Sequence, residues 1–251
     1  MPHFDSILLT GASSGIGRAL AEACAAPGVT LHLSGRNPER LDAAAAACRA
    51  RGATVRVHVA DVRDAAAMAR WIAGSGPLDL VVANAGIAPG TAETEPETRA
   101  VFATNLDGVL NTVLPAIEKL AAQPPGPGGL RGHIAVIASI AAFVPSPVSP
   151  AYGASKAAVD AWTVASAPAA RRRGIALTSV CPGFIRTPMT ARFSFPMPGL
   201  MSAERAAAMI LRGVAAGRVR VTFPWWMAVA ARIGGLLPPP WVAAFIKRRQ
   251  S

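Results

Sequence analysis

The segment YGASK sets Tyr152 and Lys156 four residues apart. On a helix that spacing puts both side chains on one face. A free phenol titrates near pH ~10, too high for efficient acid/base work at neutral pH. An ammonium beside it favours the phenolate and is expected to lower that value. Composition adds weight to the pair. Tyr152 is the only tyrosine in the chain, and Lys156 is one of three lysines, with Lys119 and Lys247, among 25 basic residues that are otherwise arginine. Ser139 ends the apolar run HIAVIAS, thirteen positions before Tyr152. A hydroxyl there can donate to a carbonyl oxygen and stabilise charge developing on it, or it can simply cap a loop. The chemistry such a set could perform is proton exchange with a carbonyl or alcohol oxygen.

A second constellation lies near the start, where TGASSGIG spans residues 10–17. It follows an apolar run that reads as a strand and opens a stretch that reads as a helix. A helix N-terminus presents unpaired N–H groups and partial positive charge, so it suits a pyrophosphate. Gly11, Gly15 and Gly17 permit a tight turn and close backbone approach, with Ser13, Ser14 and Ile16 between them. The next strand ends LHLSGRN. Gly35 stands where many dinucleotide folds place an acid for the adenosine ribose, and Arg36 follows it. An acid would repel a ribose 2′-phosphate, whereas a guanidinium would bind it bidentately. NADP(H) is therefore expected over NAD(H), which stays possible.

These residues need a scaffold, and the hydrophobic pattern supplies one. Strands are predicted over 6–9, 30–34, 54–59, 78–83, 133–138, 175–180 and 218–223. Helices are predicted over 15–26, 38–51, 64–73, 95–120, 150–173 and 202–216. Pro38 suits a first helical turn and Ser202 an N-cap. The PPGPGGLRG segment, 124–132, is loop chemistry. Strand–helix alternation without repeats predicts an α/β architecture, doubly wound around a mostly parallel sheet.

The spacing Gly-xxx-Gly-x-Gly followed by YxxxK resembles the short-chain dehydrogenases/reductases, over roughly residues 6–222. The resemblance implies a single-domain Rossmann fold with seven strands and helices on both faces. It implies that Asn105 (in TNLDG), Ser139, Tyr152 and Lys156 form a catalytic set, Asn105 helping to hold a water that relays protons to Lys156. Asp61 and Val62 would lie against the adenine, and Asn84, Ala85 and Gly86 would hold the loop beside the cofactor. Pro182, Gly183, Ile185 and Thr187, in CPGFIRTPM, would border the nicotinamide and phosphates, and Tyr152 and Lys156 would also touch the cofactor. The implied reaction is hydride transfer between nicotinamide C4 and a carbonyl carbon, with Tyr152 as acid/base, in a homodimer or homotetramer. Ser14 replaces a basic residue that some NADP-using relatives carry. The competing reading is a non-catalytic NADP-binding sensor or scaffold, which would need the glycine loop but not the four catalytic positions.

Three regions depart from that pattern or stay open. Pro168 falls inside the predicted helix 150–173 and is expected to kink it or end it near 165–167. Phe143, Val144, Val148, Phe184, Met189, Phe193, Phe195 and Met197 flank the catalytic segments and suit either an apolar substrate pocket or ordinary core. Residues 223–251 form an apolar C-terminal extension, FPWWMAVAARIGGLLPPPWVAAFIKRRQS. Its apolar run is interrupted and falls short of the ~20 residues a span requires. Its tryptophans and terminal Lys247, Arg248 and Arg249 suit a cover for the pocket, a subunit interface or a peripheral membrane contact.

Composition bounds the remaining classes. Hydrophobic residues make up 52% of the 251, enough for a core, and the formal charge is +11. Without a nucleic-acid motif or a basic stripe interleaved with aromatics, no nucleic-acid partner is expected. Dispersed Cys24, Cys48 and Cys181 and scattered histidines predict no metal site and reduced thiols. The N-terminal segment lacks the pattern of a secretory signal, so a cytoplasmic protein is expected, with peripheral membrane association open.

Overall fold

The computed structural model describes residues 4–89, 93–238 and 240–242. Seven strands form one parallel sheet: β1 (Ser6–Thr10), β2 (Thr30–Gly35), β3 (Thr54–Val59), β4 (Leu80–Ala83), β5 (Gly132–Ile137), β6 (Ile175–Pro182) and β7 (Arg220–Phe223). Their order is β3-β2-β1-β4-β5-β6-β7. β1 and β4 are hydrogen-bonded neighbours, with Leu8 opposite Val81. The strand order reverses at this pair, and a crevice opens beyond the strand ends there.

The strands are near-continuous apolar runs because both faces of the sheet are covered. Alternation sends Ile7 and Leu9 into one core and Leu8 into the other. α1 (Gly15–Cys24), α2 (Pro38–Arg49) and α7 (Ala203–Ala215) cover the first face, with Leu20, Leu41 and Ile210 buried there. α3 (Ala65–Ala73), α5 (Gly108–Ala121) and α6 (Pro150–Arg172) cover the second, through Met68, Val113 and Val159. Each such side chain removed from water stabilises the fold by roughly 1.5–3 kcal/mol.

Helix starts follow local chemistry. Asn37 accepts from Arg40 N at 2.8 Å, with Pro38 in the first turn of α2. Asp64 caps α3 and Ser202 caps α7. Thr94 and Glu97 form a capping box at α4 (Glu95–Phe102). The predicted helix 95–120 is present in three parts. Between α4 and α5 the residues Ala103–Asp107 form a π-helical turn. The whole run is long and apolar enough to cross a bilayer, yet Val101, Val109, Val113, Ala116 and Leu120 are buried in this chain's own core.

Pro168 does not end its helix: α6 continues through it to Arg172. Proline removes one internal N–H. Burial of Ala167 and Ala170 against the sheet offsets that loss on both sides. The helix then closes properly, with Arg173 N donating to Ala170 O and Gly174 N to Arg171 O, both at 2.9 Å. The C-terminal extension begins with α8 (Trp225–Gly235); Phe245 and Lys247, Arg248 and Arg249 lie outside the described residues.

Candidate active site

The crevice is a cleft of about 650 Å³ running from the β1–α1 loop to the start of α6. At one end stand Ser139, Tyr152 and Lys156, all lining it. Ser139 leaves the C-terminal end of β5 and caps a short 3-10 turn, Ile140–Phe143, by accepting from Ala141 N at 3.1 Å. The same hydroxyl faces the Tyr152 phenol and favours its charged form. Capping and facing the tyrosine are thus joint roles of one serine. Lys156 is buried, its Nζ 2.8 Å from the Ile137 carbonyl and 5.8 Å from the centre of the Tyr152 ring.

Burial sets the protonation of this pair. It pushes the phenol of Tyr152 up, and the Ser139 hydroxyl only partly opposes that. It pulls the Lys156 ammonium down from 10.5 to about 8. The expectation that the ammonium would lower the phenol pKa is therefore corrected. Desolvation acts on both charged forms, and the lysine spends its charge on a backbone carbonyl.

Asn105 sits in the π-helical turn, fully buried. Its Oδ1 accepts from Ile87 N at 2.8 Å. Its Nδ2 donates to Ile87 O at 2.9 Å and to Ser155 Oγ at 3.2 Å. It does not line the cleft; it ties the loop after β4 to α6. The extra residue of a π turn aims this amide where a regular helix would not. Gly86 permits the approach: a Cβ there would lie 3.2 Å from Asn105 Oδ1 and 3.4 Å from Lys156 Nζ.

In the middle of the cleft, Gly11, Ser13, Ser14, Gly15 and Ile16 form one wall, and Asn84, Ala85 and Gly86 adjoin it. Gly11 has φ 68° and Gly15 φ 55°, conformations that favour glycine. Gly17 does not line the cleft. A Cβ there would collide with the Gly11 carbonyl and lie 2.5 Å from Asn84 Nδ2, so its role is close packing of helix on loop. Asn84 Nδ2 fixes that loop by donating to Thr10 O at 3.0 Å and Gly11 O at 3.1 Å. Pro182, Gly183, Ile185 and Thr187 also line the cleft, Thr187 lying against Gly15.

At the far end lie Arg36, Asp61 and Val62. Asp61 is gripped by Arg63, whose Nη2 is 2.6 Å from Oδ2. Arg36 is 4.0 Å from the same carboxylate. Hydrogen bonding from Arg63 holds the Asp61 carboxyl below the usual range.

The cleft fits a dinucleotide on three grounds. Ser14 makes no side-chain bond to the first turn of α1, unlike the capped starts of α2, α3, α4 and α7. The N–H groups of that turn are thereby left for a ligand anion. Two buried hydroxyls on the cleft wall, Ser34 Oγ and Thr104 Oγ1, have no hydrogen-bond partner among the described residues. Arginines stand at the end where a nucleotide phosphate would emerge.

Several lining residues escaped the sequence reading. Arg40 joins Arg36 at the far end, and Ser34, Thr104 and Thr190 supply hydroxyls. Arg40 was findable, since it follows the capping Asn37 by three residues and so turns back toward Arg36. Nothing local marked Thr104. Of the apolar candidates, Met189 lines the cleft. Phe195 packs on Phe193 and Phe184, with ring centres 5.2 and 6.0 Å apart. Phe143 is held between Arg220 and Arg232, 5.6 and 4.2 Å from its ring centre.

The family model for short chain dehydrogenases matches residues 5–195, and the chain belongs to that family of oxidoreductases. It is 34% identical to an uncharacterized oxidoreductase of Myxococcus xanthus, over 98% of this chain and 97% of that one. It is 36% identical to the probable oxidoreductase EphD of Mycobacterium tuberculosis, over 77% of this chain but only 33% of that protein. Among solved structures it resembles a short-chain dehydrogenase from Sphingobium yanoikuyae in complex with NADPH. That match has a TM-score of 0.79 and 26% identity, and covers 92% of this chain and 94% of that one.

Proposed function

We propose that this chain interconverts a carbonyl and a secondary alcohol using NADP(H), on an apolar substrate, with Tyr152 as acid/base. One observation carries the reading: Ser139, Tyr152 and Lys156 meet at the end of β5, in the same cleft as the uncapped start of α1. The NADPH-bound Sphingobium relative supports the cofactor class. Arg36 and Arg40, with Gly35 in place of an acid, support the 2′-phosphate form.

The first turn of α1 and the Gly11–Gly15 backbone would hold the pyrophosphate, and Lys156 the nicotinamide ribose. When bound, the nicotinamide exchanges a hydride with the substrate carbon. The remaining work falls to the side chains. In reduction, the Ser139 hydroxyl donates to the substrate oxygen and stabilises its developing charge. Tyr152, kept protonated by burial, delivers its proton to that oxygen. Lys156, held near 8, is acidic enough to help replace it. In oxidation Tyr152 must first lose its proton, so that direction gains with rising pH.

Tyr152→Phe tests the assignment. Turnover of an apolar ketone panel with NADPH should fall by about 10²–10⁴-fold, while NADPH still quenches tryptophan fluorescence with unchanged affinity. Full turnover in the variant would overturn the mechanism.

A further inference from the structure

Of the eleven large apolar side chains exposed among the described residues, seven lie between Trp225 and Trp241. Trp225, Val229, Ile233 and Leu236 recur at helical spacing and present one face of α8 to solvent; Trp225 is 73% and Leu236 86% exposed. The opposite face is anchored. Ala228 is buried. Met227 Sδ is 2.9 Å from where a Cβ on Gly183 would lie, and a Cβ on Gly235 would collide with the Phe143 carbonyl. The helix is thus fixed to the body with its apolar side outward. An exposed apolar surface of this extent marks an interaction site.

Charge identifies the partner. From the start of α8 onward, residues 225–251 carry Arg232, Lys247, Arg248 and Arg249 and no acidic residue. A symmetric pairing of two copies through α8 would bring the same patch of each together, setting two such acid-free segments against each other at a like-charge cost. A negatively charged lipid surface is complementary instead. Tryptophans favour the interfacial layer of a bilayer. At 11 residues α8 is too short to span a bilayer, but it can lie in the plane of one.

We propose that α8 docks the protein onto anionic lipid bilayers, with Trp225, Val229, Ile233 and Leu236 in the headgroup boundary. The docking face adjoins the substrate side of the cleft. A Cβ on Gly199 would touch the Trp226 ring at 3.0 Å, so the loop that follows the cleft residues Pro188 and Met189 rests on α8. If the proposed reaction holds, its carbonyl substrate is one dissolved in the membrane. The docking itself does not depend on that reaction.

The test is flotation with vesicles of phosphatidylcholine alone or mixed 3:1 with phosphatidylglycerol, using the full chain and two variants. One is Trp225→Ser/Ile233→Ser/Trp241→Ser; the other is Lys247→Glu/Arg248→Glu/Arg249→Glu. The wild type should float with the anionic vesicles at least tenfold more than with the neutral ones. The first variant should lose at least tenfold of this binding, and the second should lose its anionic preference. Mass by light scattering should be the same for all three. Failure of the wild type to float with anionic vesicles overturns the proposal, as does unchanged flotation of both variants. A reduced mass for the serine variant, with no vesicle binding by the wild type, would make the face a contact between copies. NADPH affinity measured on the same samples reports separately on the proposed reaction.

Discussion

Two aspartate–arginine pairs stand near opposite ends of the site, alike in geometry and unlike in surroundings. At one end, on the element that carries Tyr152 and Lys156, Asp160 on α6 meets Arg220 on β7 at 2.7 Å; near the Arg36 end, Asp61 meets Arg63 at 2.6 Å. The Asp160 side chain is only 7% exposed and also accepts from Ser179 Oγ at 2.6 Å and Cys181 Sγ at 3.3 Å. Asp61 and Arg63 are 28% and 48% exposed. Water screens the second pair more than the first, in which only Arg220, 33% exposed, reaches solvent. The Tyr152 end of the cleft therefore rests on interactions that are costly to alter singly, whereas the Arg36 end can change partners at little cost. Asp160→Ala should show this most strongly. It leaves Arg220 and two buried donors without their acceptor, and should lower stability by about 3 kcal/mol in urea titration. Asp61→Ala should cost no more than about 1 kcal/mol. Equal losses would erase the contrast.

The next effect concerns Lys156, whose burial lowers its pKa from 10.5 to about 8. Below about 8 the folded chain holds a buried cation at full cost, while between the two values the folded form gives up its proton before the unfolded one does. The cost therefore fades as pH rises through that window. Its full size is about 3 kcal/mol, less about 1 kcal/mol for the bond to the Ile137 carbonyl. Lys156→Met should accordingly stabilise the cofactor-free protein by about 2 kcal/mol at pH 7, and by less at pH 9.5. A gain that does not shrink with pH would show that the buried end is not governed by desolvation of this group.

What could be read in the sequence follows the same division between local and distant causes. The strands, the glycine loop and the Tyr152–Lys156 spacing are short-range patterns, and the structure contains all of them. The Asp160–Arg220 pair joins residues sixty positions apart and had no local signature. The aromatic ring of Phe143 looked available for substrate until two distant arginines closed on it. Pro168 shows packing overriding a local breaker, and the direction of the Tyr152 shift depends on burial that spacing does not encode. Gly17 and Asn105 are legible as motif positions, whereas the contacts they make, close packing on the Gly11 carbonyl and a bridge from the Ile87 backbone to Ser155, join segments distant in sequence.

The smallest effect falls on Arg36, at the exposed end. Its contact with Asp61 is 4.0 Å long and its side chain is 58% exposed, so it adds at most about 1 kcal/mol to folding. Its worth lies in what it offers a ligand. A charge-assisted bond to a ribose 2′-phosphate is worth about 1.5–3 kcal/mol, and an aspartate at the same place would repel that phosphate and favour the bare ribose hydroxyls. Arg36→Asp should thus shift the NADPH-to-NADH ratio of kcat/KM by about tenfold or more towards NADH, with the melting temperature almost unchanged. Arg40 shares the end of the cleft, so Arg36→Asp/Arg40→Ala should go further than either change alone. If the double variant keeps the wild-type ratio, any discrimination lies elsewhere in the cleft, and the exposed arginines are ordinary surface charge.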